Sequence, residues 1–269
     1  MTAYLSKPVS SEVVWQRWNL APEPIPFTLF TAQPDLLPDR LAAAAGDPLA
    51  FAGLTRLLRR RALARVEASS LQLHRLIQAI LRSRLPDRAD AEGMAVVAVR
   101  LLRGSAPADP WDNPPTWSGW RHLLPHALAA TGTNRPLDSA GEDVAWLLDQ
   151  VGACLQTWGE PGRARPLYER ALTELNRLHG EDHPTTLASA SNLGGDLWAL
   201  GEHERARQLH EDTLARCRRM LGEDHPVTLA SVDNLALDLR AAGEYEQARQ
   251  LDEDTLTRRR RVLGEDHRS

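Results

Sequence analysis

The sequence is poor in lysine and has no long apolar run, and each shortage excludes a class of protein. Its basic side chains are 31 arginines and a single lysine, Lys7. A phosphate-binding P-loop needs a lysine within GxxxxGK[ST], and Lys7 is followed by Pro8, so no intact ATPase is expected. No run of 18 apolar residues and no signal-peptide core occurs. These absences predict a cytoplasmic protein that crosses no membrane.

Metal-binding and catalytic motifs are missing as well. Cys154 and Cys217 stand at apolar helical positions, which predicts two core thiols rather than a disulfide. The motifs HExxH, CxxC, GxSxG and the glycine-rich dinucleotide fingerprint do not occur. His122 and His126 have a helical metal-binding spacing, but Pro125 stands between them and no third ligand is near. We therefore expect no catalytic residue, no metal and no cofactor.

A repeat with a period of 42 residues organises the second half of the chain. The tetrapeptide GEDH begins at positions 180, 222 and 264, and a second turn glycine stands at 159, 201 and 243. A fixed period of this length predicts stacked structural repeats, which reach back to about residue 143. The GEDH histidines are predicted to build linkers and helix caps, because successive repeats lie too far apart to share one metal ion.

Each period contains two stretches of helical spacing. Leucine and alanine recur every three or four residues over 184–200 and again over 204–221, which predicts two amphipathic helices. Pro184 is expected at the start of the first helix and Gly201 at its end. Small residues at Gly194 and Ala206 would let the paired helices approach closely.

These residues resemble tetratricopeptide repeats of the kinesin-light-chain-like type, in their GEDHP linker and their Asn-Leu-(Gly/Ala) core. The resemblance covers 135–269, with repeats at about 143–179, 180–221 and 222–263, the first of them a degenerate capping repeat. It implies a protein or peptide partner on the concave face. The candidate peptide-binding residues are Asn192, Asn234, Asp149, Asp233, Trp198 and Arg240. The alternative for the two asparagines is that they only tie adjacent repeats together.

The charge is divided unequally between the two halves. Residues 1–134 carry 15 basic and 11 acidic side chains, a net charge of +4, whereas the remainder carries 17 and 25, a net charge of −8. An acidic repeat array is a poor surface for phosphates, so nucleic acid is an unlikely partner of the repeats.

The first half reads as three segments. Residues 1–23 are a linker or a remnant. In residues 24–85 the hydrophobic pattern predicts three helices, in PFTLFTA, PDRLAAAAGD and PLAFAGLTRLLRR. A hairpin is predicted from ALARVEA and LQLH, and a fourth helix in HRLIQAILRSRL. This order of elements is winged-helix-like. Residues 86–134 predict a helix in DAEGMAVVAVRLLRG and then a Pro- and Trp-rich loop, SAPADPWDNPPTWSGW. Its Trp111, Trp117 and Trp120 are expected to fasten the loop to a neighbouring helix.

Residues 24–85 resemble the winged-helix segment of bacterial signal-transduction NTPases of the NB-ARC type, in which tetratricopeptide repeats commonly follow. That resemblance implies that His74 matches a histidine that contacts the β-phosphate of bound ADP. Leu73 and Arg75 replace the methionine and aspartate that flank it in the family. Because the nucleotide-binding domain is missing, His74 is interpreted as a relict nucleotide-sensing residue, or as a capping histidine.

The expected protein is therefore mostly α-helical: a winged-helix-like module followed by an α-solenoid of about three helical hairpins. Its expected function is a non-enzymatic protein-interaction scaffold, a regulatory fragment related to NB-ARC-type NTPases. The alternative is a winged-helix DNA-binding regulator that grips phosphates with Arg59, Arg60 and Arg61, helped by Arg56 and Arg65. A nucleotide switch would need a partner chain that supplies the P-loop.

The last repeat is also expected either to mediate self-association or to fray, unless the native chain continues beyond residue 269. If no further helix follows, apolar side chains would be exposed at the end of the array, and their burial against a second molecule would be favourable. These side chains belong to Ala248, Leu251, Leu256 and Leu263. The alternative is that Arg258 to Arg261 cover this surface with their long stems.

Overall fold

The computed structural model describes residues 23–74, 77, 88–111, 113–132 and 137–263. The chain forms two compact units, Met1–Leu147 and Leu148–Ser269, and the division falls inside one helix. In the part of the chain that is described, no helix has the length and apolar character that a membrane span requires.

Three helices and a small sheet occupy the start of the first unit. Helices α1 (Thr28–Thr31), α2 (Asp39–Gly46) and α3 (Pro48–Arg60) fall in the three segments that the sequence predicts as helical. The carboxylate of Asp47 accepts a hydrogen bond of 2.9 Å from the backbone N–H of Leu49, as expected of a residue that caps a helix.

The predicted hairpin is present, and it gains a third strand. Strands β2 (Ala64–Val66) and β3 (Ser70–Leu73) pair antiparallel, and β1 (Ile25–Pro26) pairs with the other edge of β3, which gives the order β1-β3-β2. The sequence did not predict β1, because two residues are too few to show alternation. Apart from residue 77, the helix predicted after His74 lies outside the described residues, so the winged-helix assignment stays a prediction.

The bridge is more helical than the sequence predicts. Helix α4 (Arg88–Gly104) is followed by α5 (Pro114–Ala130), which begins inside the segment predicted to be a loop. The loop prediction was wrong for residues 114–120, because Pro114 stands in the first turn, where its missing N–H costs no helical hydrogen bond. Pro125 stays within α5, so it does not interrupt the helix.

Two tryptophans fasten the remaining loop to α5, as predicted. The indole N–H of Trp120 donates to the carbonyl of Ala108 over 3.1 Å, and that of Trp117 donates to the carbonyl of Pro110 over 3.0 Å. Trp120 is fully buried, whereas Trp111 is exposed. The tryptophan cluster therefore stabilises the fold of the first unit.

His126 is a structural residue of the same unit. Its imidazole is buried, and Nε2 lies 3.1 Å from the carbonyl oxygen of Pro24. Because a carbonyl only accepts, Nε2 carries the proton. Burial lowers the pKa of His126, which favours the neutral ring. Within the described residues, no group of three or more potential metal ligands is present.

Six helices form three consecutive hairpins. They are α6 (Gly141–Thr157) with α7 (Pro161–His179), α8 (Pro184–Ala199) with α9 (His203–Leu221), and α10 (Pro226–Ala241) with α11 (Tyr245–Leu263). The predicted helix pairs of the second and third repeats are confirmed to within a residue or two.

The recurring glycines and histidines shape the turns. Gly159, Gly201 and Gly243, like the two GEDH glycines that follow α7 and α9, have φ values near +80°, a conformation that side chains rarely adopt. The Nδ1 atoms of His183 and His225 accept from the backbone N–H two residues later, over 3.4 and 3.2 Å. The predicted capping role of these histidines is confirmed.

Glycine also permits close packing inside each hairpin. A Cβ atom added to Gly194 would lie 2.2 Å from Nε2 of His210, and one added to Gly152 would lie 2.8 Å from the ring of Tyr168. These pairs stand one period apart. An aromatic or imidazole ring thus fills the space that a side chain on the facing helix would need.

Candidate functional site

Helix α8 shows which surface of the repeats is available to a partner. Its Leu187, Ala190 and Gly194 are buried toward the second helices of the hairpins. The hydroxyl of Ser189 donates to Asp149 of α6 over 3.0 Å, and that of Ser191 lies 3.3 Å from the hydroxyl of Ser231 on α10. Three sides of the helix are therefore covered by neighbouring helices.

The fourth side of each first helix remains accessible and is called here the open face. It is formed by residues that share one helical stripe: Ala188, Asn192 and Gly195 on α8, and Ala230, Asn234 and Leu237 on α10. Leu237 is 52% exposed, an unusual position for a large apolar side chain. The sequence analysis missed Leu237, although it stands three residues after Asn234 and so on the same side of the helix.

Asn192 and Asn234 occupy equivalent places at the centre of this stripe. Both are half-buried, and in the described part of the chain neither side-chain amide has a hydrogen-bond partner. An amide offers two donors and an acceptor, so each can bind a peptide group on both its N–H and its C=O. The contacts in the structure give no support to the alternative that these amides tie adjacent repeats together.

The other predicted site residues lie at the edges of the first helices. Asp233 pairs with Arg259, and Arg240 pairs with Asp252 over 2.6 Å, so both contact α11. Trp198 is 40% exposed and meets the ring of His203 edge-on at 5.7 Å. These three side chains border the open face rather than line it.

Asp149 faces α8, and its side chain is half-buried. Burial raises its pKa to about 7, and the hydrogen bond from Ser189 opposes that rise. Its carboxyl group is thus partly protonated near neutral pH. Asp149 therefore supports the packing of α6 on α8, and it offers little negative charge to a ligand.

Two fully buried acids stand one period apart, at Asp196 and Asp238. Asp196 is 0% exposed, and neither of its carboxyl oxygens has a hydrogen-bond partner among the residues that the structure describes. Burial raises the pKa of Asp196 to about 6, while Arg165 opposes the rise. Asp238 instead has an imidazole beside it. Its Oδ2 lies 2.6 Å from Nδ1 of His210, whose Nε2 lies 3.2 Å from the carbonyl of Ser191. Neither environment was predicted, because both depend on packing between helices.

Arginines on the second helices connect successive repeats. Arg165 on α7 binds Glu202, which follows α8, over 2.7 Å, and one period later Arg207 binds Glu244. These pairs are about 30% exposed, and each arginine also binds a glutamate on its own helix. Networks of this kind hold the repeats in a fixed register, so the open face is a pre-formed surface.

The last repeat exposes less apolar surface than was predicted from the sequence. Ala248 is buried and Leu251 is half-buried, but Leu256 is 37% exposed, whereas Leu214, one period earlier, is 3% exposed. The side chain of Leu263 lies outside the described residues. Arg258 and Arg261 bind Asp224, while Arg259 binds Asp233 and covers part of the same edge. Self-association through this repeat stays a prediction.

His74 directly follows strand β3 and is exposed. Its backbone N–H donates to the carbonyl of Leu63 over 3.4 Å. The proposed nucleotide-sensing role of its side chain remains a prediction.

Comparison with known families agrees with the hairpin architecture. One tetratricopeptide repeat model matches residues 143–219 and a second matches residues 228–269. The second half of the chain thus carries tetratricopeptide repeats, which generally mediate protein–protein interactions. A search of curated proteins finds no match to the sequence.

Two crystal structures of a kinesin-light-chain-like protein from Podosopora anserina, with nearly identical TPR-like repeats, have similar folds. One, a point variant, is 18% identical, with a TM-score of 0.51, and the alignment covers 88% of this chain and 97% of that chain. The other is 19% identical, with a TM-score of 0.50, and covers 88% and 98%. At these identities the likeness concerns the fold alone.

Proposed function

We propose that this protein is a non-enzymatic scaffold that binds an extended segment of a partner protein on the open face of its repeats. The observation that carries the proposal is the pair of unpartnered amides, Asn192 and Asn234, on consecutive first helices. Leu237 lies beside them and is suited to an apolar side chain of the partner. The partner's backbone would satisfy the amides, and its side chains would give specificity.

We further infer a regulatory role in the cytoplasm, as a fragment related to NB-ARC-type NTPases. The support is the helix–hairpin order of residues 24–74 ahead of the repeats. In this role the first unit would carry a relict module, and the repeats would recruit the partner.

Replacement of both asparagines with alanine tests the binding surface. The double variant N192A/N234A is expected to lose at least about tenfold in affinity for a partner isolated with the wild-type protein. It should keep its melting temperature, because the amides have no hydrogen-bond partner among the described residues. A matched control is Q208A, an exposed amide on α9 that belongs to neither candidate site. Unchanged binding together with a lower melting temperature would show that the asparagines only support the fold.

A further inference from the structure

A second candidate site lies on the side of α8 opposite the open face. There a cleft of about 150 Å³ opens between α7 and α9, and the buried residues Leu187 and Ala190 of α8 form its floor. One water molecule needs only roughly 10–15 Å³ of such space, so the cleft has room for a side chain. Leu172 and Leu209 form apolar walls on either side.

Polar atoms without partners line this cleft. Thr186 is 2% exposed, and its Oγ1 has no hydrogen-bond partner among the described residues; the same holds for Oδ1 of Asn176 across the cleft. A buried polar atom left unpaired costs about 1–3 kcal/mol. A ligand that donates to both oxygens would recover this cost.

The next repeat shows how the same position is satisfied. Thr228, one period after Thr186, donates its hydroxyl to the carbonyl of Gly222 over 2.8 Å. Arg218 stands one period after Asn176, and its guanidinium binds Glu223 over 3.2 Å. In that repeat the cation is the guanidinium of Arg218, whereas the cleft beside α8 has the neutral amide of Asn176 at the equivalent position.

The mouth of the cleft is negatively charged. Arg216 binds Glu181 over 2.6 Å and Asp212 over 2.9 Å, and it lies 3.5 Å from Asp182, which also binds Arg219. Three carboxylates thus meet two guanidinium groups, which leaves one net negative charge. This surplus favours a cationic ligand.

We propose that this cleft binds the side chain of a lysine from a protein partner. The four-carbon stem would lie along the leucine walls, and the ammonium group would donate to Thr186 Oγ1 and Asn176 Oδ1. Lysine suits the site better than arginine, because a compact ammonium with three rotatable donors fits two single oxygens on different helices. The planar fork of arginine matches the two oxygens of one carboxylate instead.

Binding of a blocked lysine to the full chain tests the proposal. Isotope-labelled protein is titrated with Nα-acetyl-lysine amide and, separately, with Nα-acetyl-norleucine amide, which has the same stem without the ammonium. We expect saturable shifts of the amide resonances of residues 172–190 and 209–216 with the lysine compound. The norleucine compound should bind at least about tenfold more weakly.

Two variants copy the next repeat into the cleft. A190V introduces the valine that stands at Val232, and N176R supplies the arginine that stands at Arg218. Each is expected to weaken lysine binding at least about tenfold, by filling the cleft or by providing an internal cation. Q250A, at an exposed position on α11 outside both candidate sites, should leave binding unchanged. Because residue 176 is half-buried, N176R keeps the test decisive if A190V does not fold.

Three results would overturn the proposal. The first is the absence of any saturable shift with the lysine compound at its highest soluble concentration. The second is equal binding of the lysine and norleucine compounds. The third is lysine binding that survives both A190V and N176R, or that shifts residues around Asn234 instead. The open-face site is not tested by this experiment, so the two proposals fail independently.

Discussion

Replacement of Asp196 with asparagine should stabilise the protein in a pH-dependent way. The carboxyl group is fully buried, and within the described part of the chain neither of its oxygens has a hydrogen-bond partner. Burial raises its pKa to about 6 from an ordinary value of 3.8. The folded state therefore favours the neutral acid. The contribution of the neutral Asp196 side chain to the free energy of unfolding is fully present below the unfolded-state pKa. That contribution is lost as the pH rises through the folded-state pKa.

The size of the effect follows from the pKa difference. At about 1.4 kcal/mol per pKa unit, ionisation of Asp196 costs at most about 3 kcal/mol at pH 8 and about 0.5 kcal/mol at pH 4. Asparagine has nearly the same shape and never ionises, so D196N should regain most of this energy. Its free energy of unfolding should exceed that of the wild type clearly at pH 8 and barely at pH 4.

Asp238 provides the matched control, because it stands at the same position one repeat later and lies beside the imidazole of His210. D238N should destabilise the protein by about 1–3 kcal/mol, since it disturbs the buried hydrogen bond between Asp238 and the imidazole of His210. Denaturant unfolding of the wild type and both variants at the two pH values measures these differences. Equal effects of D196N at pH 4 and pH 8, or a D196N protein less stable than the wild type at pH 8, would refute the reasoning.

Four further outcomes are expected. Replacing Arg207 and Glu244 singly and together with alanine should give a coupling energy of about 0.5–1 kcal/mol in a double-mutant cycle, and zero coupling would show that the pair does not join the repeats. Calorimetry should detect no ATP binding, whereas a micromolar affinity lost on replacing His74 would restore the nucleotide-switch hypothesis. Duplex DNA should not bind through Arg59–Arg61; a salt-sensitive affinity would favour the DNA-binding alternative. Sedimentation should show concentration-dependent association that L256S reduces, and a strict monomer would exclude it.

The repeat architecture could be predicted because its signals are local and periodic. The turn glycines and the His-Pro helix starts act within a few residues and recur every 42 residues, so they located the helices of the second and third repeats closely. Pro114 was harder, since a proline in a tryptophan-rich segment is equally compatible with a loop and with the first turn of a helix.

The site could be predicted only in part, because orientation depends on packing between helices. Asn192 and Asn234 were assigned to the concave face from the resemblance to tetratricopeptide repeats, and their binding role stays a prediction. Asp233 and Arg240 were assigned to the same surface, but their positions turn toward α11, where oppositely charged side chains bind them. The cleft at Thr186 depends on residues from three helices, a juxtaposition that no local spacing reveals.

Photo-crosslinking from two exposed alanines tests the central claim most directly. A photoreactive amino acid is placed at Ala230 on the open face, or at Ala215 on the exposed side of α9. We expect one protein to crosslink from Ala230 and not from Ala215, and that crosslink to disappear in N192A/N234A. A crosslink to the same partner from Ala215 alone, or one from Ala230 that survives loss of both asparagines, would contradict binding on the open face.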